Sequence, residues 1–457
     1  MKRSVKTRAA LWLSLIAFGV VVGAAERLAA ATVGGRLYVC DSNDDTIWCL
    51  EDHDGSGAWE PDGKDEVVLF YGDESAGPDL SVPSHLLLAA DGTLLALDGG
   101  THDTIFSFRS RNGDKDALDD GEQGVYYDAS GDSPGLGTPK AMVYWSDGSI
   151  LVCDDGSRSI RVIRLIDLDG DGNALGPNES SIAFDGANFA GTAIQDPETI
   201  AVGADGAVYI ADSATRTVIE LVDVDGNGDF QGVTESRVIF VAAETTPFGD
   251  VDSLVAAVDG SLLVGDRETN TVLRLVDRNG DGDRVDDGEW SVVLDGTAEV
   301  PALDIQEMLE LHDGGILIVD GRRDGLIVAE DVNGDGDWND AGETRSWLLD
   351  GGSLLSTPSG VVVERSPVVE PNELPFVRGD ANQNGQLELT DAIVTLGFLF
   401  LGTHDGCRDA FDADDDGTVQ VTDPIFVLAY LFSGGRQPPD PFPASGVDPT
   451  PDELSCR

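Results

Sequence analysis

Oxygen-bearing side chains occupy every second position of a short, glycine-rich loop in this chain. Two copies read Asp277-Arg278-Asn279-Gly280-Asp281-Gly282-Asp283 and Asp331-Val332-Asn333-Gly334-Asp335-Gly336-Asp337. A hard cation such as calcium takes six to eight oxygens at about 2.3–2.6 Å, and glycine between the ligands permits the tight turn. Numbered from the first acidic position, side chains at 1, 3, 5 and 7 can converge. A glutamate recurs at position 13 as Glu122, Glu179, Glu235, Glu289 and Glu343. The ligand sets expected for calcium are Asp167, Asp169, Asp171, Asn173 and Glu179; Asp223, Asp225, Asn227, Asp229 and Glu235; Asp277, Asn279, Asp281, Asp283 and Glu289; and Asp331, Asn333, Asp335, Asp337 and Glu343. The competing reading is of plain polar hairpins whose Asp-Gly and Asn-Gly steps serve turn formation. Two further loops are weaker. The one at Ser110 starts with a hydroxyl and inserts Lys115; the one at Asp52 carries Ala58 at position 7 and Lys64 at position 13, and poor or no binding is expected of Asp52 to Lys64.

The six loops begin at residues 52, 110, 167, 223, 277 and 331, a spacing of 54 to 58 residues that marks a repeat array. One unit reads as four strands: Thr199 to Val202, Ala207 to Ala211, Thr217 to Val222 and Arg237 to Ala242, with the acidic loop before the last. Val, Ile and Thr fill the strands while Gly, Asp and Asn mark the turns. Five units are continuous. The sixth is split: Arg36 to Cys40 enters as a second strand, and the missing first strand lies at Thr357 to Val363. Pairing these closes a ring of six four-stranded blades over residues 34–366, and closure protects the strand edges. Phrases such as Gly206-Ala207-Val208-Tyr209-Ile210-Ala211-Asp212 resemble the NHL-type and gluconolactonase-like six-bladed propellers. That resemblance implies a fold shared by binding scaffolds, lactonases and lyases, and fold alone does not choose among them.

Strand order places the acidic loops at the outer rim, on the face of the Asp-Gly turns. The opposite face holds the turns after Asp41, Asp98, Asp154, Asp212, Asp266 and Asp320, whose presence in every blade points to turn capping. Residues entering the innermost strands, His85, Lys140, Glu198, Asp252 and Gln306, are expected to line the channel mouth. Of these, His85, Lys140, Glu198 and Asp252 are the weak catalytic candidates: such a mixture could move protons, and it equally suits a polar lining. No metalloprotease, nucleophile-elbow or Cys/His zinc spacing occurs.

After residue 366 the chain changes character. Residues 367–376 read as a proline-rich linker, and 377–457 as a second domain. Asp380, Asn382 and Asn384 lead to Asp391 at position 12, and Asp412, Asp414 and Asp416 lead to Asp423 at position 12; each loop feeds an apolar helix. This duplicated loop-helix pattern resembles the dockerin module. The resemblance implies one calcium on each of those ligand sets, and docking through Leu389-Thr390 and Val421-Thr422 onto a cohesin-like protein or cell-surface component. The tail from Pro438 departs from the family pattern. A terminal cap packing Phe398, Phe400, Phe426 and Phe432 internally is the other reading.

The basic Lys2, Arg3, Lys6 and Arg8 precede an apolar run from Ala9 to Val22 and clusters of small residues, so residues 1–31 read as a secretory signal. A secreted or cell-surface protein follows, with no membrane span after cleavage. Formal net charge is −57, which argues against nucleic acid as a partner and makes bound calcium an expected aid to folding. Of five cysteines, Cys407 and Cys456 are the expected pair, Cys40 and Cys153 read as core residues, and Cys49 lies near Cys40 but not opposite it. The fold expected is an all-β six-bladed propeller plus a small α-helical dockerin-like domain of paired EF-hand-like loops. The function expected is that of a secreted calcium-binding propeller that binds a ligand, such as a glycan, or a surface and is attached to a partner through the dockerin-like module. The alternative is a polysaccharide- or lactone-active hydrolase or lyase working from the channel.

Overall fold

The structure is a computed structural model. It describes residues 36–51; 66–364 apart from 73–74, 76, 90, 101–102, 129–133, 157–158, 187–193, 233, 299–302, 312–313 and 350–353; and 376–446 apart from 383–384, 386, 402–406, 416, 440 and 444–445. The expected signal, most of the linker, the Asp52 loop, Asn384, Asp416 and Cys456 lie outside the described residues. The chain divides into two compact units, 1–364 and 365–457.

The first unit is a six-bladed propeller. Its six antiparallel sheets run, from channel to rim, β4-β5-β6-β7 (Pro83–Leu88, Leu94–Asp98, Thr104–Phe108, Gln123–Tyr127), β8-β9-β10-β11 (Pro139–Tyr144, Ile150–Gly156, Ser159–Leu165, Ser180–Asp185), β12-β13-β14-β15 (Pro197–Val202, Val208–Asp212, Thr217–Leu221, Ser236–Val241), β16-β17-β18-β19 (Val251–Ala256, Leu262–Asp266, Thr271–Leu275, Trp290–Asp295), β20-β21-β22-β23 (Ile305–Glu310, Ile316–Asp320, Gly325–Ala329, Thr344–Leu349) and the split blade β24-β1-β2-β3 (Pro358–Glu364, Arg36–Asp41, Thr46–Glu51, Glu66–Tyr71). The innermost strands are β4 (Pro83–Leu88), β8 (Pro139–Tyr144), β12 (Pro197–Val202), β16 (Val251–Ala256), β20 (Ile305–Glu310) and β24 (Pro358–Glu364), and they touch one another in a closed circle. Ring closure is as expected, with β1 (Arg36–Asp41) pairing β24 as Tyr38 opposite Val362 and Val39 opposite Val361. Gly360 is required there, because a Cβ would come within 2.8 Å of Cys40 Sγ and 2.9 Å of the Ser84 carbonyl. In the blade read most closely from sequence, the strands fall at Pro197–Val202, Val208–Asp212, Thr217–Leu221 and Ser236–Val241.

Burial explains the strand composition. Middle strands such as β13 (Val208–Asp212) and β17 (Leu262–Asp266) are buried at every position, since both faces pack on neighbouring blades. The six apolar clusters of the propeller each join two adjacent blades; one gathers Ala141, Cys153 and Val162 with Ile200, Ile210, Ile219 and Phe230. A lone blade therefore has no core of its own, which is why the units stack. Cys40, Cys49 and Cys153 are buried free thiols, and Cys49 pairs with Tyr38 rather than Cys40.

Among its described residues the second unit contains three short helices, α1 (Leu389–Leu401), α2 (Arg408–Phe411) and α3 (Thr422–Ser433). Ala392, Ala413 and Val427 form its small core, with Phe426 packed against them and the rings of Phe398 and Phe411 5.0 Å apart. Phe400 and Phe432 are each 70% exposed, so the expectation that a terminal cap would pack them internally is overturned. Their helices turn those positions away from a core only a few residues wide. Arg378 is wholly buried, donating to the Asp412 carbonyl at 3.1 Å and pairing with Asp415 at 2.9 Å. Cys407 is disulfide-bonded, and its expected partner, Cys456, lies outside the described residues.

Candidate functional sites: rim cages and channel mouth

The rim loops share one construction. Asp167 Oδ1 accepts from the Gly170 amide at 2.7 Å and Oδ2 from the Gly172 amide at 2.9 Å, and Asp223, Asp277 and Asp331 accept from the equivalent glycines. These glycines have φ between +73° and +95°, which L side chains adopt only under strain. Asp171, Asn173, Asn227, Asp229, Asn279, Asn333 and Asp337 each accept an amide two residues on, turning the chain around the centre. The position-13 glutamates are almost wholly buried and act as staples. Glu235, 3% exposed, accepts from Val224 and Asp225 through Oε1 at 3.1 and 3.3 Å and from Gly232 through Oε2 at 2.6 Å.

Carboxylate oxygens meet within 4.8 Å in the groups Asp167, Asp169 and Glu179; Asp223, Asp225 and Glu235; Asp281, Asp283 and Glu289; and Asp331, Asp335 and Glu343. A carboxylate offers about four lone-pair directions, so the amide bonds leave acceptor capacity facing inward. Such acceptor-only groups fit a cation. Sequence reasoning missed two members of the cage. Asp286 and Asp340, at position 10, receive the side-chain amides of Asn279 and Asn333 at 2.8 and 2.6 Å.

Position 8 does separate work. Ala117, Ala174, Phe230, Arg284 and Trp338 donate their amides, at 2.7 to 2.9 Å, to the carbonyls of Phe70, Tyr126, Ala183, Ile239 and Val293 in the outermost strand of the preceding blade. Each accepting residue is the extra one of a β-bulge, as where Ile47 pairs Tyr71 but Trp48 pairs Leu69. The bulge frees a carbonyl that the ladder cannot use, and the loop satisfies it. The position-8 side chains are buried too, Phe230 beside Trp145 with ring centroids 5.1 Å apart. Every acidic loop seen here therefore latches its blade to the one before.

On the other face, the six turn aspartates are fully buried. Asp212 accepts from the amides of Gln195 and Asp196 and from Thr215, and Asp154 accepts from those of Gly137 and Thr138. They tie the turn after each second strand to the segment entering the first, which is capping, as expected.

The channel-mouth candidates come together. His85, Lys140, Glu198, Asp252 and Gln306 all line one cavity of about 410 Å³. A bulge at the start of each innermost strand makes the lining two-tiered: Ser84, Lys140, Glu198, Asp252, Gln306 and Ser359 are the inserted residues, and His85 and Glu307 follow in the deeper tier. Lys140 bridges both oxygens of Glu198 at 3.0 and 2.8 Å. Burial works against the lysine's charge, yet the Glu198 hydrogen bond together with the charges of Glu198, Asp196 and Asp155 outweighs it and raises the ammonium above its ordinary range; burial raises Glu198. Asp252 lies 2.8 Å from Arg267 Nε, but burial dominates and pushes it up to about 7.

Sequence reasoning missed Arg267 and Glu307. Glu307 Oε1 is 3.1 Å from His85 Nδ1, its Oε2 accepts from the Val361 amide at 2.5 Å, and only 13% of its side chain and 18% of the histidine's is exposed. Burial pushes Glu307 up to about 8 and His85 down to about 4, against a backbone hydrogen bond at Met142 that favours the charged ring. Burial disfavours the charged form of both partners across the 3.1 Å between Oε1 and Nδ1. The pair can hold one transferable proton at the cavity wall.

Fold and site together define a six-bladed propeller with acidic rim loops and a charged channel mouth. No family model and no curated protein matches the chain. Among solved structures it is similar to a chain of a nidogen/laminin complex (14% identity, 72% of this chain and 98% of that one, TM-score 0.47). Virginiamycin B lyase from Staphylococcus aureus (13%, 72% and 92%, 0.42) and a periplasmic gluconolactonase of Pseudomonas aeruginosa (16%, 72% and 99%, 0.42) are also similar. At these identities the likeness concerns the fold alone.

Proposed function

We propose that this is an exported, calcium-stabilised propeller that binds a small polar ligand, such as a glycan unit, at its channel mouth and is attached to a partner through a dockerin-like second unit. The observation that carries the calcium reading is the convergence, in four rim loops, of two aspartates on a buried glutamate. An acceptor-only group of this kind in so acidic a chain repels itself unless a cation sits in it. Thermal unfolding of the full chain in calcium and in chelator tests it: chelation lowers the midpoint by ten degrees or more, and an unchanged midpoint defeats the reading.

The second unit follows the same logic. Asp380, Asp391, Asp412 and Asp423 are buried, Asp412 accepts from the Gly417 amide and Asp380 from that of Gly385, and burial together with Asp412 and Asp414 pushes Asp423 up to about 7. Asn382 and Asp414 complete the sets within the described residues. Attachment through this unit is supported by a repeated exposed stripe: Leu389, Ile393 and Phe400 on α1 recur as Val421, which immediately precedes α3, and Ile425 and Phe432 on it, the triplets being 49, 57 and 70% and 48, 58 and 70% exposed. Calorimetric titration against a panel of cohesin modules, with Ile393→Asp and Ile425→Asp together as the disabled form, checks this; binding by neither form rejects it.

A second reading, an enzyme acting on a lactone or polysaccharide from the channel, is favoured by the His85–Glu307 pair, which can serve as general acid at neutral pH. Turnover screening with Glu307→Gln and His85→Asn separates the readings. Activity that survives both changes places the chemistry elsewhere.

A further inference from the structure

We propose that the Ser110–Glu122 loop, which its sequence marks as degenerate, is a divalent-cation site of the calcium class whose occupancy fastens the split first blade to the second. This rests on the calcium reading of the other rim loops and extends it to a site that reading leaves out.

The loop lacks an acidic residue at position 1 and has Lys115 where its relatives have glycine. Neither change empties the cage. Asp119 supplies a carboxylate at position 10, where the loops at Asp167 and Asp223 have Gly176 and Gly232, so the loop keeps four carboxylates, as those two do. Oxygens of Asp114, Asp116 and Glu122 lie within 4.8 Å of one another. Asn112 sits among them, its side-chain amide donating to Asp114 at 2.5 Å and to Asp119 at 2.8 Å. Lys115 adopts the left-handed backbone of the glycine it replaces, φ +75°, and turns its charge outward to Glu51 at 2.8 Å and Glu66 at 2.7 Å. Its ammonium therefore does not neutralise the cage.

The decisive atom belongs to Glu122, which is 5% exposed. Its Oε1 accepts from the amides of Arg111 and Asn112 at 2.6 and 3.2 Å. Its Oε2 is buried without a hydrogen-bond partner, whereas Oε2 of Glu179, Glu235, Glu289 and Glu343 each receives an amide. A buried carboxylate oxygen with nothing donating to it, beside two further carboxylates, is what a bound cation satisfies.

The consequence for the ring follows from what the loop holds. Ala117 donates to the bulged Phe70 carbonyl at 2.9 Å, and Lys115 clamps β2 (Thr46–Glu51) and β3 (Glu66–Tyr71). Both belong to the blade that the chain ends complete. Ordering the loop orders its grip on that blade.

The test is the calcium stoichiometry of the full chain by equilibrium dialysis, with hydrogen exchange read at residues 66–71. The double variant Asp114→Asn, Asp116→Asn loses one equivalent and speeds exchange across 66–71 at least tenfold, and Asp281→Asn, Asp283→Asn loses one equivalent without that local effect. If the second variant loses an equivalent and the first does not, this proposal falls and the wider calcium reading stands; if the wild type binds none, both fall. Should the first variant fail to fold, Ser110→Asp decides: it strengthens binding of one equivalent, and unchanged binding overturns the proposal.

Discussion

Replacing Glu235 by glutamine separates the two roles assigned to a rim glutamate, staple and ligand. The carboxylate accepts three amides, and glutamine keeps one oxygen for Val224 and Asp225 while its NH2 faces the Gly232 N–H, donor against donor. Losing a charge-assisted bond and leaving a buried amide unpaired costs about 2–4 kcal/mol. That cost is present without metal, so it is read by urea unfolding in chelator. Calcium binding to the native state adds RT ln(1 + [L]/Kd), about 2.7 kcal/mol at a hundredfold excess over Kd. In saturating calcium the variant therefore loses about 5–7 kcal/mol if its site is abolished. The gap between the two media measures the ligand role and the chelator value measures the staple. Equal losses in both media refute ligation by Glu235, and no loss in chelator refutes the staple.

Other outcomes follow from the same geometry. Gly360→Ala forces a methyl group against Cys40 and the Ser84 backbone at the ring closure, and destabilises by about 1–3 kcal/mol in denaturant titration. Asp212→Asn, at a fully buried cap accepting from Gln195, Asp196 and Thr215, costs about 2–4 kcal/mol and leaves calcium stoichiometry unchanged. Glu307 stays protonated in the native state up to about pH 8, while unfolded it ionises near pH 4.3; between these values the native state holds the extra proton, so this group's contribution falls as pH rises. His85 opposes it below about pH 6.5, since the unfolded ring takes up a proton there that the native ring refuses down to about pH 4. Because His85 titrates in both proteins, wild type loses stability relative to Glu307→Gln between about pH 4.3 and 8, at up to about 1.4 kcal/mol per pH unit, measured by unfolding across that range.

The ring, its split blade and the capping aspartates were legible because they depend on period and on turn chemistry, which repeat. The acidic clusters of the rim were legible at alternate positions and at position 13, but Asp286 and Asp340 were not, since position 10 is glycine in the loops at Asp167 and Asp223 and carries no periodic signal. Glu307 escaped for a sharper reason. Strict alternation along β20 sends Gln306 and Glu307 to opposite faces, and only the bulge between Ile305 and Glu307 brings both into the channel. Arg267 lies in a turn beyond its strand, so only the fold carries it to Asp252. The position-8 latch was invisible because its occupants, Ala, Phe, Arg and Trp, share no chemistry; what recurs is a backbone amide.

That amide has a consequence for how the repeat can age. Acidic side chains occupy the odd positions and the glutamate, while the seam between blades needs only the main chain at position 8 and a filler behind it. Side chains of the loop can thus change while the seam hydrogen bond stays, as in the second copy, where serine and lysine stand at positions 1 and 6 and Ala117 still donates to the Phe70 carbonyl. A repeat built this way can vary its acidic side chains one copy at a time and still hold an intact circle.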